Sequence, residues 1–478
     1  MKFSMITPCY RLPVCLAIGA LLLVPATRLV GQELDKPLRL MPGPQLFIDD
    51  YLIGESSFLT RVVNNPQKLL TPVVTGGKNG DENFQPYISV VRDPRSKRFR
   101  MWYNTGEDIS VSHVGYIESE DGIHWLRPHR VLKDPGPIKF GVSVVDRGEK
   151  SPDPAKRYVL GYYHKDGLMI ATSVEGLDWT LLQPKSVLQH NHDIDSLRWD
   201  PLRNRFLAIV SVWVVDNRWE ERRRIPHQSV STDLLNWKKL WPILTPKIGA
   251  PVERGETQFY AMGGAIARGE LLIGLVKVLR DDLNATPGKT GAEMGDLDRK
   301  AAGLGYTVLA WSRDGATWQR DYEPFLPNNP LPGSWDHAMA WADEQLVVGD
   351  ETFIYYAGYA RGHKVARFEE RQIGLARMPR DRYVSRDADL NVGRLLTKPL
   401  VLEASSISVN ANVVGLMQVR LLTADGKPKR GFDWAEIRGD AVAHPVKWQS
   451  KIASLGNEAV RLEFELKDAQ LFGFDLHK

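Results

Sequence analysis

Ser119-Glu-Asp121-Gly122-Ile-His-Trp125 is one of four copies of a phrase that the chain repeats with its spacing intact. The others are Ser173-Val-Glu175-Gly176-Leu-Asp-Trp179, Ser231-Thr-Asp233-Leu-Leu-Asn-Trp237 and Ser312-Arg-Asp314-Gly315-Ala-Thr-Trp318. A unit recurring at this interval is a structural module stacked on its neighbours. The physics of the phrase is local. Its Ser and acidic side chains accept backbone N–H groups in a turn, glycine supplies the turn geometry, and tryptophan fills the gap between modules. It bears on the fold and not on chemistry.

Upstream of each copy lies a second phrase, an Asp-Pro turn followed by a basic residue and an aromatic. It reads Asp93-Pro94-Arg-Ser-Lys-Arg98-Phe99, Asp153-Pro154-Ala-Lys-Arg157-Tyr158 and Asp200-Pro201-Leu-Arg-Asn-Arg205-Phe206. Looser versions stand at Arg268-Gly269-Glu270 and Val348-Gly349-Asp350. Each is a tight turn between apolar strands. The order is constant: strand, turn, strand, phrase-bearing strand, closing strand. That is a four-stranded antiparallel meander.

The leading strands are Pro86–Val91, Gly141–Val145, Ile194–Trp199, Phe259–Ile266 and Ala338–Trp341. The fifth unit lacks the tryptophan phrase but keeps Ile373-Gly374-Leu375-Ala376 in its place. Five meanders predict an all-β chain with a five-bladed β-propeller over 81–395. Asp281–Gly303, polar and Gly-rich, reads as an insertion or lid in the fourth blade. The repeat ends after Leu395-Leu-Thr397-Lys398-Pro399-Leu400, and strand-like runs beyond it predict a C-terminal β-sandwich over 396–478. Residues 32–80 form an N-terminal segment leading into the propeller.

Composition sets the class. The 478 residues are 43% hydrophobic and 25% charged, which suits a globular chain of this size. Residues 1–31 read as a signal peptide: Lys2 and Arg11 precede an apolar run from Leu12 to Ala26 that is short for a membrane span. Cleavage after Ala26 or Gly31 gives a secreted or periplasmic protein with no membrane anchor. The formal charge of +4 includes Lys2, Arg11 and Arg28, so the mature chain is near neutral and carries no electrostatic footprint for nucleic acid. Cys9 and Cys15 also lie in the leader, which excludes disulfides, thiolate catalysis and zinc–thiolate sites from the mature chain.

In a propeller the innermost strands begin around a central funnel. The residues at those starts are Asp81-Glu82-Asn83, Lys139-Phe140, His192-Asp193-Ile194-Asp195, Glu253-Arg254-Gly255-Glu256 and Trp335-Asp336-His337. Four of the five carry carboxylates. Paired carboxylates around a pocket are what glycoside hydrolysis requires: one protonates the leaving oxygen, the other acts on water or on the anomeric carbon. A third can raise the acid's pKa by like-charge proximity. Trp102, Trp335 and Trp341 offer sugar-stacking faces, and His192 and His337 offer ring nitrogens to sugar hydroxyls.

With these residues in place, the chain resembles the five-bladed propeller glycosidases of the arabinanase, levansucrase and invertase superfamily (glycoside hydrolase families 32 and 43 and relatives). A propeller followed by a β-sandwich is similar to the invertase branch. The resemblance implies a blade-one carboxylate at Glu82 or Asp81. It implies a transition-state stabiliser or pKa modulator at Asp193 or Asp195, and a general acid at Glu256 in Gly255-Glu256-Thr-Gln-Phe-Tyr260. The invertase Trp-Met-Asn-Asp-Pro-Asn-Gly motif and Glu-Cys pair are absent, and Arg92-Asp93-Pro94 matches an invertase motif by letters but occupies a mid-blade turn.

The expectation is an exported glycoside hydrolase acting on a carbohydrate, with Asp336, His337, Asp81, His192 and Trp335 contacting substrate. It needs no cofactor, and its oxygen ligands are compatible with a structural calcium on the axis. One alternative is a non-catalytic carbohydrate-binding propeller. Another is a sialidase-like enzyme, for which Arg198, Arg254 and Arg361 would supply the arginines.

Overall fold

Each Asp-Pro or Gly-turn phrase does close a β-hairpin, and each hairpin extends into a meander. The computed structural model describes residues 36–76, 84–108, 111–126, 130–149, 151–192, 195–219, 222–246, 257–366 and 369–478. The chain there is all-β; its helices are single 3-10 turns such as Pro154–Lys156. None is long and apolar enough to cross a membrane.

The first meander pairs Phe84–Arg92, Phe99–Asp108, Val111–Ser119 and Arg130–Val131. The second pairs Phe140–Asp146, Tyr158–His164 and Gly167–Ser173, with Thr180–Leu181 and Leu188–Gln189 pairing with opposite ends of Gly167–Ser173 as its outer edge. The third runs Asp195–Asp200, Arg205–Val215, Arg222–Ser231 and Trp241–Pro242. The fourth runs Thr257–Arg268, Leu271–Arg280, Leu304–Ser312 and Gln319–Arg320. The fifth has Met339–Val348, Glu351–Tyr359 and Gln372–Pro379. Its outer strands come from the other end of the chain: Gln67–Lys68 and Val74–Thr75 pair with Gln372–Pro379.

The five first strands lie against one another in chain order, and the fifth lies against the first. Hydroxyls staple some of these contacts. Ser89 Oγ donates to Val142 O and accepts Val144 N; Ser143 Oγ donates to Leu197 O and accepts Leu197 N. A short side chain thus supplies backbone partners between strands that are not paired. Apolar clusters fill the spaces between consecutive meanders. One joins Trp102 and Tyr116 of the first to Tyr158 and Leu160 of the second.

Three of the tryptophan phrases bond to a neighbouring meander. Tyr355 of the fifth meander donates to Gly122 O of the first; Trp102 of the first donates to Gly176 O of the second; Gln228 of the third donates to Gly315 O of the fourth. The phrase's tryptophan is the expected gap filler. In these three copies the turn glycine makes the bond to the neighbouring meander as well, and that fits its positive φ of 66–80°.

The C-terminal region, where a β-sandwich was expected, is β-strand throughout its core. Ten strands form one continuous sheet, because the 18-residue strands Ser406–Thr423 and Val460–His477 stay paired along their length and bend at irregularities near Ala411 and between Val413 and Leu416. The bent sheet wraps its own core, including Phe47, Leu421, Phe464 and Phe474. Val384–Ala388 and Gly393–Thr397 already belong to it, as do the N-terminal strands Leu38–Leu40, Gly43–Leu46, Ile53–Ser57 and Thr60–Val63. Residues 38–75 are therefore shared between this sheet and the fifth meander. Recruiting them covers edges that would otherwise expose unpaired backbone groups.

Candidate active site

Two levels of contact define the end at which the first strands begin. Tyr87, Phe140 and Ala261 meet with Tyr163 in one small apolar cluster. Further along the same strands, Ser89 bridges to Val142 and Val144, and Gly263 abuts Asp343. Both levels advance together, so the first strands of meanders one, two and four run the same way. The parallel bridge Gly305–Met339 extends that direction to the fifth.

Just below the aromatic level lie two buried ion pairs. Lys277 Nζ stands 2.6 Å from Asp343 Oδ1, and Arg198 Nη1 stands 2.6 Å from Glu344 Oε2. Asp343 Oδ2 accepts the Ile88 N–H at 2.9 Å, and Asp343 O accepts Arg198 Nη2 at 2.8 Å. A Cβ at position 263 would stand 2.6 Å from Asp343 Oδ1, so glycine makes room for the carboxylate. Asp343 thus touches residues of meanders one, three and four from the fifth. A register irregularity between Ala342 and Glu344 lets adjacent acids, which a regular strand would send to opposite faces, both engage these cations. Burial pushes the Lys277 ammonium down and the Glu344 carboxyl up, each opposed by its partner's charge.

Sequence reasoning missed this quartet apart from Arg198. A signal was present: Lys277 is the sole charge in Leu275-Val276-Lys277-Val278-Leu279, and Asp343-Glu344 interrupts the apolar Met339–Val348. Charges in such strands are buried in pairs.

Asp336 and His337 take anchoring contacts in place of the sugar contacts expected of them. Asp336 is 1% exposed, with Oδ2 2.7 Å from Lys68 Nζ and 3.1 Å from the Tyr356 hydroxyl. Burial lowers the Lys68 pKa, and the Asp336 charge opposes that shift. His337 is also buried; its Nδ1 lies 2.7 Å from Asn329 O and its Nε2 2.9 Å from Thr286 Oγ1. A carbonyl can only accept, so Nδ1 donates to Asn329 O. Trp335 stacks on Tyr356 over Gly358 and Gly374, and its Nε1 donates to Leu70 O. Trp102 and Trp341 are fully buried, which removes them as sugar-stacking faces.

His192 is buried, its ring perpendicular to that of Trp213 at 4.8 Å. Arg222 and Arg224 lie over the same indole. Asp195 is the first residue of the third meander, paired with Val210. Asp81, Glu82, Asp193 and Glu256 lie outside the described residues. So does Arg254; of the other two candidate sialidase arginines, Arg198 is taken by Glu344 and Arg361 by Glu370.

The expected insertion Asp281–Gly303 follows the second strand of meander four. It is pinned by Thr286 to His337 and by the His363 N–H to Ala302 O, with Met294 and Ala302 packed on Val365. Among the described residues, no group of three or more His, Cys, Asp and Glu is placed to hold a metal ion.

No protein-family model matches the chain, and no curated protein matches it. Solved structures do. One titled "Glycoside hydrolase" is 15% identical over 67% of this chain and 94% of its own, with a TM-score of 0.43. An N-acetylgalactosamine deacetylase from F. plautii, in complex with blood group B trisaccharide, is 13% identical over 68% and 96%, TM-score 0.44. A β-1,2-mannobiose phosphorylase from Listeria innocua, in complex with β-1,2-mannobiose, is 12% identical over 66% and 97%, TM-score 0.45.

Proposed function

We propose that the five meanders close into a five-bladed β-propeller and that the chain is an exported, carbohydrate-active enzyme, a glycoside hydrolase working where the first strands begin. One observation carries the reading. First strands of meanders one, two, four and five share a direction, and those of meanders one, four and five follow acidic stretches in the sequence.

In this reading Glu256 gives its proton to the leaving oxygen as the anomeric C–O bond breaks. Glu82 or Asp195 takes a proton from the water whose hydroxyl joins the anomeric carbon, or attacks that carbon first and is released by water. Asp193 and Asp81 are the neighbouring acids of these stretches in the sequence. The axial quartet holds the strands that present them, in a fixed geometry that such chemistry needs.

The test is a screen of the purified protein against polysaccharides with product analysis, followed by Glu256→Gln. Loss of the general acid is expected to lower turnover by about 10²–10⁴-fold. Unchanged turnover in the variant removes Glu256 from the role.

A second reading, a non-catalytic carbohydrate-binding propeller, is favoured by one observation: three of the described acids around the first strands, Asp336, Asp343 and Glu344, are tied up in ion pairs. Glycan binding without product in the same screen selects it.

A further inference from the structure

Two grooves flank the hairpin tip that joins the second and third strands of meander two. One, of about 590 Å³, is lined by Tyr163, Lys165, Asp166, Gln189, His190 and Asn191, with Val212 and Leu240 of meander three on its far wall. The other, of about 490 Å³, lies on the opposite side of the tip and includes Pro137, His164, Met169 and Ser186. Lys165, Asp166 and Gln189 wall both, so the two form one trough that passes over the tip.

The trough starts at the proposed mouth. Tyr163 belongs to the aromatic level with Tyr87 and Phe140, and its ring meets His190 at 5.2 Å. Asn191 holds Trp213 through both amide atoms and the Trp213 backbone, immediately before His192. The tip is built and not loose. Lys165 is held at φ 55°, its carbonyl accepts the Tyr163 hydroxyl, and Asp166 accepts Ser186 Oγ and Gln189 Nε2. A non-glycine residue in that region costs about 1–2 kcal/mol, which a hairpin tip without a constraint would avoid by carrying glycine. The lining combines amide, imidazole, ammonium and carboxylate groups with apolar walls, which suits hydroxyl-rich rings with apolar faces.

We propose that this trough binds the distal units of an extended glycan chain, making the substrate an oligosaccharide of several units or a polysaccharide. The inference rests on the carbohydrate reading above and adds the substrate's length and path. Lys165, Asp166 and Gln189 are exposed and contact the chain as it crosses the tip.

The experiment measures binding by calorimetry and turnover by product release, using gluco-, manno-, xylo- and arabino-oligosaccharides of two to six units. The wild-type protein is compared with Lys165→Gly/Gln189→Ala; glycine at 165 keeps the turn's positive φ, so the hairpin is retained. The expected result is about tenfold tighter binding or lower KM for six units than for two in one series, a gain worth about 1.4 kcal/mol, that the double variant loses with kcat on the dimer unchanged. Equal affinity for two and six units, or a length gain kept by the variant, overturns the trough and leaves the hydrolase reading standing. Length-dependent binding without turnover supports the trough and removes the hydrolase. Binding of none of the series overturns both.

Discussion

Leu234 stands where three of the four tryptophan phrases have glycine, and it keeps the same backbone at φ 71°. A left-handed leucine costs about 1–2 kcal/mol in strain. Its side chain is 1% exposed among Leu197, Phe206 and Val210, and emptying such a site costs about 2–5 kcal/mol. Packing therefore outweighs strain. Leu234→Gly, which would restore the repeat's consensus, is expected to lower stability by about 1–3 kcal/mol, read from the urea unfolding midpoint. A stabilised variant would show that backbone strain dominates. Gly176 is the converse case: any Cβ there would stand 2.8 Å from the Trp102 ring, so this glycine is required by space as well as by φ.

At the scale of the element, the repeated turn has a titration signature. Asp121, Asp233 and Asp314 each accept two backbone N–H groups and the hydroxyl of the preceding Ser. Burial raises the Asp314 carboxyl, but the N–H groups of Thr317 and Ala316 outweigh it and hold the group at about 2. Asp121 and Asp233 are also held well below the usual range, Asp121 against burial by His124, Asp233 chiefly by Asn236. A pKa depressed in the fold means that the unfolded chain binds more protons, so this stabilisation is complete above the unfolded value near 3.8 and is lost as pH falls towards 2. Urea midpoints measured between pH 5 and 2.5 are expected to fall over that window, with a shallower slope for Asp314→Asn. An equal slope in the variant rules the turn out as a source of acid sensitivity.

Across the whole molecule, the fifth meander is completed by Gln67–Lys68 and Val74–Thr75, some 300 residues away in sequence. Lys68 and Asp336 lock that closure, with side chains 18% and 2% exposed. Removing one partner leaves the other charge buried and costs about 3–5 kcal/mol, whereas an apolar pair of similar volume can be close to neutral. Asp336→Leu is therefore expected to lose about 3–5 kcal/mol and Lys68→Met/Asp336→Leu to lose markedly less than the two single changes together. Additive losses in a double-mutant cycle would mean that the pair contributes nothing to closure.

The all-β class and the five meanders were legible in the amino-acid order, because turns and strands follow from neighbouring residues: Asp-Pro initiates a hairpin and alternating apolar residues continue it. So was the insertion at Asp281–Gly303. What local order could not carry was any contact between distant stretches. The outer strands of the fifth meander, the single bent C-terminal sheet that takes in residues 38–63, and the anchoring of Asp336 by Lys68 depend on which segments meet in space. The quartet of Lys277, Asp343, Arg198 and Glu344 lies between these cases. Its lone charges are visible in apolar strands, but only the packing of the first strands pairs Lys277 with Asp343 and Arg198 with Glu344, since a buried charge takes its partner from whatever element the fold brings within 3 Å.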